Sequence, residues 1–213
     1  GYKYGTTGSL ENNRLNTNDS TIKTYIDKWY KNNLTAYTKY LSKDAVFCHD
    51  RNLASGQTYS TTKDFNYASY ERMENKQPTY NCTNMSDAFS VNNTSAKLDY
   101  PVGLMTIDEL SYAGGQYNTK LIKPFAWFYT NANGRIITGN NSTWSLSPRS
   151  WNSSRSIVWF IGGYLYPGYL ISEEVGSSVA VRPALSLKSC IKYSTGNGSA
   201  SDPYTIKETA SGC

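Results

Sequence analysis

A chain of 213 residues can bury about 70% of its unfolded surface in a core, so its stability requires neither a metal nor a dense disulfide net. Nineteen Tyr and five Trp, against three Met and six Phe, suit half-exposed strands and recognition surfaces better than an oily helical bundle. The net charge of +5 is mild, and Lys and Arg are scattered from Lys3 to Lys207, which argues against nucleic acid as a partner.

Sixteen Gly and the abundance of Asn, Ser and Thr favour turns and short strands, and the class reads as α+β with long loops. Asn18, Asp19 and Ser20 offer capping oxygens, and Ile22, Tyr25, Ile26, Trp29 and Tyr30 then recur at three- and four-residue steps. This predicts an N-terminal amphipathic helix that ends near Asn32 or Asn33. A shorter helix is expected over Thr35 to Leu41, a buried strand over Ala45 to Cys48, and a long surface loop from Asn52 to Asp64. Thr106 and Glu109 form a capping-box pair, and Gly114-Gly115 stops the helix that it starts. Apolar runs at Phe125 to Tyr129, Trp144 to Leu146, Ile157 to Ile161, Tyr164 to Tyr166 and Val179 to Leu187 predict strands of a twisted mixed sheet. The last residues, with Gly196-Asn197-Gly198 and Ser201-Asp202-Pro203, read as a turn-rich tail.

The four cysteines, Cys48, Cys82, Cys190 and Cys213, match neither a zinc ribbon nor a Cys-x-x-Cys site. Their even number favours disulfides and an extracytoplasmic protein. The simplest pairing is local, Cys48 with Cys82 and Cys190 with Cys213, although three connectivities are open. No stretch is long or apolar enough to cross a bilayer. The single histidine, His49, stands beside Cys48, but neighbours on a strand point to opposite faces and a disulfide would remove the nucleophile. Asp108-Glu109 is explained by helix capping and Glu173-Glu174 by a solvated turn. No calcium-loop or metal-ligand spacing occurs, so no enzyme activity, metal or cofactor is expected.

Trp144-Ser145-Leu146-Ser147-Pro148, Val158-Trp159, Gly163-Tyr164-Leu165 and Val179-Ala180-Val181-Arg182-Pro183-Ala184-Leu185-Ser186-Leu187 together resemble the C-terminal core of a bacterial C-type-lectin-like family of surface proteins. Pro101 to Thr106 with Glu109 matches more weakly, and Ala180 stands where the family usually has Gly. The leading Asn16 to Tyr25 and Trp29-Tyr30 are similar to members in which such a segment follows a type IV pilin-like membrane helix. The resemblance implies a C-type-lectin-like domain over residues 45–213, preceded by a helical segment over 1–44 and closed by a disulfide-tied tail over 188–213. It also implies anchoring to a membrane or pilus through a removed N-terminal segment, and a place on the bacterial cell surface. Many such proteins are diversified by retroelements, which randomise adenines in chosen Asn codons and vary a region that corresponds here to about residues 144–187. Arg149, Ser150, Ser153, Ser154, Arg155, Phe160, Tyr164, Tyr166, Pro167, Gly168 and Tyr169 are permitted products of that process, whereas Trp151, Trp159, Glu173 and Glu174 are not.

Strand parity sets Ile157, Trp159 and Ile161 toward the core, turns Phe160 outward, and puts Leu165 inside with Tyr164 and Tyr166 outside. Exposed Tyr and Arg beside Ser and Gly is a paratope composition. The expected function is therefore the display of a variable face that binds an unknown protein or carbohydrate ligand. The other reading is a structural minor pilin or adhesin subunit whose aromatic patch contacts sister pilus subunits.

Overall fold

A computed structural model describes residues 19–130, 136, 139–152, 154–199 and 201–213. Helix α1 (Thr21–Asn33) starts where Ser20 Oγ accepts the Lys23 amide at 3.1 Å, and it buries Ile22, Ile26 and Tyr30 along one face. A six-residue 3-10 helix (Thr35–Tyr40) follows. Strands β1 (Phe47–Cys48) and β2 (Phe65–Asn66), helix α2 (Ala68–Glu74) and strand β3 (Ala88–Phe89) come next. Helix α3 (Ile107–Tyr112) carries the capping box of Thr106 and Glu109, and strand β4 (Gln116–Tyr117) lies beyond it. A four-residue helix α4 (Ala126–Tyr129) precedes strands β5 (Thr143–Asn152), β6 (Arg155–Ile161) and β7 (Tyr169–Glu174). The tail forms a hairpin of β8 (Tyr193–Thr195) and β9 (Thr205–Ile206).

The class is α+β, and the main sheet is mixed. Its order is β2-β5-β6-β7-β4, with β4 parallel to β7 and the other pairs antiparallel. Both faces of this sheet are covered. On one, Trp159, Ile161 and Leu170 pack with Met73 of α2, Ile107 and Leu110 of α3, and Phe128 and Tyr129 of α4. On the other, Trp144, Val158 and Val175 pack with Ile22 and Ile26 of α1 and with Leu104. The run Val158-Trp159-Phe160-Ile161 is therefore apolar throughout because each parity meets its own core.

The disulfides are Cys48–Cys82 and Cys190–Cys213, the local pairing. No helix of the described residues is long and apolar enough to cross a membrane. Disulfides of this kind persist in oxidising compartments.

Four expectations need correction. Phe125 to Tyr129 is not a strand: Phe128 and Tyr129 amides both donate to the Phe125 carbonyl at 3.2 Å, closing a short helical turn. Tyr164 to Tyr166 is a turn, with the Tyr166 amide on the Gly163 carbonyl at 2.9 Å. Val179 to Leu187 forms only isolated bridges, Ala180 to Thr143, Ala184 to Gly103 and Leu187 to Leu41, because the chain visits three partners in turn and follows none. Glu173 and Glu174 end β7, where Glu174 pairs with Arg155 across the ladder from β6, and the turn comes after them.

Candidate ligand-binding surface

The geometry of the expected binding region is set by one buried side chain. Tyr129 has no solvent exposure, and its hydroxyl donates to the Gly162 carbonyl at 2.8 Å while accepting the Gly168 amide at 2.7 Å. Burial raises the Tyr129 phenol above its ordinary range, which keeps the donor proton in place. The 162–169 turn is thus pinned at both ends. It is also joined to the neighbouring segment, since the Leu121 amide donates to the Pro167 carbonyl and the Gln116 amide to the Gly168 carbonyl, each at 2.8 Å. Two glycines permit the turn. A Cβ at Gly162 would lie 2.3 Å from the Tyr166 carbonyl oxygen, and Gly168 holds φ +68° against Leu121.

The two joined segments carry the most exposed apolar side chains in this part of the molecule. Ile122 is 99% exposed, Tyr166 59%, and Trp127 and Leu165 each 54%. Trp127 stacks on Phe125 at 5.4 Å, and the Lys120 ammonium sits 5.2 Å over the Tyr166 ring. Large rigid rings held out by a hydrogen-bonded turn present contact area at small entropic loss.

The structure distributes the sequence-derived site residues unevenly. Ser154, Arg155 and Tyr166 are exposed, Arg149, Phe160, Tyr164 and Tyr169 are half-buried, and Ser150 and Pro167 are buried. Ser153 lies outside the described residues. Phe160 does not face out; its ring meets Trp144 edge-on at 6.3 Å in the core under α1. Tyr164 packs on the opposite core, and Leu165 is out in its place, because a turn does not obey strand parity. The sequence pattern gives Trp127 and Ile122 no place in the binding surface, and it sets Leu165 inside. The signal for Ile122 was available, since Leu121-Ile122 is bracketed by Lys120 and Lys123, a pattern of a solvated segment.

At the far side of the same sheet face, β5 carries a bulge between Pro148 and Ser150, and the bulged residue is Arg149. Its guanidinium carbon lies 4.5 Å from the Tyr70 ring centre and 5.6 Å from that of Trp159, and Nη1 donates to Ser150 Oγ at 3.0 Å. Tyr117 meets Trp159 edge-on at 5.3 Å and Tyr70 at 6.1 Å, completing an aromatic box.

The carboxylates noted in the sequence have structural partners. Asp108 grips Arg72 through two bonds of 2.7 and 2.8 Å and accepts the Thr79 amide, while Asp50 takes the remaining guanidinium nitrogen at 2.8 Å. These groups line a cleft of about 200 Å³ beside the Cys48–Cys82 bridge. Cys48 is in that bridge and offers no thiolate, and no cluster of three or more His, Cys, Asp or Glu suited to a metal occurs among the described residues.

No family model, no curated protein and no solved structure matches this chain.

Replacing Tyr129 by Phe tests the pinning of the turn. The variant leaves the Gly162 carbonyl and the Gly168 amide unpaired in the interior, and a loss of about 1–3 kcal/mol in chemical denaturation is expected. A loss below the error of the measurement would show that the turn does not depend on this hydroxyl.

Proposed function

We propose that this chain is a ligand-binding protein of the bacterial cell surface, displaying an aromatic face on a C-type-lectin-like domain. The observation that carries the reading is the set of exposed side chains Ile122, Trp127, Leu165 and Tyr166 on two segments locked together through Tyr129. A soluble fold gains nothing by holding such groups rigidly in water, whereas a binding surface does. Tyr166 and its turn lie in the part of the chain that retroelement diversification would vary, and Trp127 and Ile122 supply a constant rim beside it. The oxidised Cys48–Cys82 and Cys190–Cys213 bridges support a place outside the cytoplasm.

The test is a triple variant, Trp127→Ser, Leu165→Ser and Tyr166→Ser. Exposed positions contribute within about 0.5 kcal/mol each, so the melting temperature is expected to move by only a few degrees. Binding of the purified protein to glycan and host-surface protein arrays is expected to be lost. Array binding equal to that of the parent would overturn the reading.

A further inference from the structure

Resting on that reading, we infer that the ligand carries a carboxylate on a sugar ring, a uronic-acid type of group, and that Arg149 is its anchor. The bulge in β5 is the first support. Such an inserted residue re-aims a side chain, and here it turns a cation onto the rings of Tyr70 and Trp159. The second is an unfilled hydrogen-bonding capacity. Among the described residues Arg149 Nη1 has only the Ser150 hydroxyl and Nη2 has no partner, while the unpartnered Nε is enclosed by protein, so the Nη edge is the one left for a ligand.

The third is the missing counter-charge. Among the described residues, Arg51 pairs with Asp87, Arg72 with Asp50 and Asp108, and Arg155 with Glu174, while Arg182 donates to the Phe128 carbonyl. No described carboxylate pairs with Arg149, and Glu74, next to the Tyr70 ring, accepts the Tyr70 hydroxyl. A guanidinium held over aromatic rings, with donors to spare, is preorganised for one planar anion. A single fixed positive charge selects a monocarboxylate. The partly exposed rings of Tyr70 and Tyr117 around it suit the C–H faces of a pyranose better than the flexible side chain of an acidic peptide.

The experiment follows the arginine Nε–Hε resonances of the isotope-labelled full chain by NMR, with the Arg149 signal assigned by its absence in R149K. Titration with glucuronate is expected to shift that signal saturably, and glucose at equal concentration to leave it in place. Glucuronate is also expected to raise the melting temperature of the parent, and R149K is expected to lose that rise while its ligand-free melting temperature stays within a few degrees of the parent's. No shift with glucuronate, or an equal shift with glucose, would overturn the anchor; both arms use the parent protein, and R149Q supplies the assignment if R149K unfolds. Saturation by a glutamyl peptide without response to glucuronate would overturn the sugar. The Trp127/Leu165/Tyr166 variant separates this inference from the broader one. If that variant loses array binding while glucuronate leaves Arg149 unmoved, the face stands and the anchor falls. If glucuronate moves Arg149 while the variant binds the arrays normally, the anchor stands and the face falls.

Discussion

Trp159→Ala is expected to lower the unfolding free energy by about 3–5 kcal/mol, the usual range for emptying a large aromatic site. Trp159 has no solvent exposure and sits on the central strand β6, in the core built with α2, α3 and α4. The ring is also wired into the backbone of β5. Its Nε1 donates to Ser69 Oγ at 3.0 Å, Ser69 Oγ donates to the Pro148 carbonyl, and Ser145 Oγ donates to the Trp159 carbonyl at 2.9 Å. Removing the ring therefore opens a cavity and strips the Ser69 hydroxyl of its donor. Trp159→Phe, which keeps part of the volume and loses the Nε1–H, is expected to fall between the parent and the Ala variant. Urea denaturation of the three proteins gives the order. A Trp159→Ala loss below about 1 kcal/mol would mean that the site collapses freely and that the sheet is not organised around this ring.

The same residue shows where the sequence could be read and where it could not. The helix over Thr21–Asn33, the capping box at Thr106 and Glu109, and the core position of Trp159 and Ile161 were all legible. Each rests on a local rule: a period, a side chain reaching three residues, or an alternation. Alternation sets Phe160 outside because it reports two faces and not what covers them. Its outward face is roofed by α1, more than a hundred residues earlier in the chain, and no local pattern contains that contact. The uninterrupted apolar run Val158 to Ile161 was the available hint of double burial.

Around the candidate surface the local pattern is silent for a different reason. Phe125-Ala126-Trp127-Phe128-Tyr129 is apolar at every position, so it has no period to distinguish helix from strand. In the structure Trp127 faces solvent while Phe128 and Tyr129 are buried. Strand β7 leaves no apolar signal because its Ser172-Glu173-Glu174 end is polar, and that polarity is satisfied at an exposed strand end beside Arg155. Helix α2 has Arg72 and Glu74 among seven residues, yet it buries Ser69 and Met73. A short helix whose inner face includes a serine carries little amphipathic signal. Ser69 is inside because it bridges Trp159 to Pro148, a long-range role that its own neighbours do not announce.

Acidification from pH 7 to about pH 4 is expected to destabilise the fold by about 3 kcal/mol through His49 alone. Desolvation lowers this imidazole from 6.5 to about 4, although the buried Asp87 nearby acts to raise it. His49 stands at the end of β1, where its amide donates to the Asp87 carbonyl at 2.9 Å and its ring lies 6.4 Å from that of Phe89. A folded pKa below the unfolded one means that the unfolded chain binds the proton first. Stability is therefore full above pH 6.5 and declines as the pH falls toward 4. Asp27 acts with the opposite sign, because burial raises its carboxyl, and folding then favours its protonated form as the pH drops. Histidine occurs only once in the chain, so the window from pH 6.5 to 5 isolates the effect from carboxylates with ordinary or lowered pKa values. His49→Gln, which cannot titrate there, is expected to flatten the stability profile across that window. Denaturation midpoints at half-unit pH steps decide it: a parent whose midpoint does not change between pH 6.5 and 5, or a variant whose midpoint falls just as steeply, would show that the imidazole titrates freely in the fold.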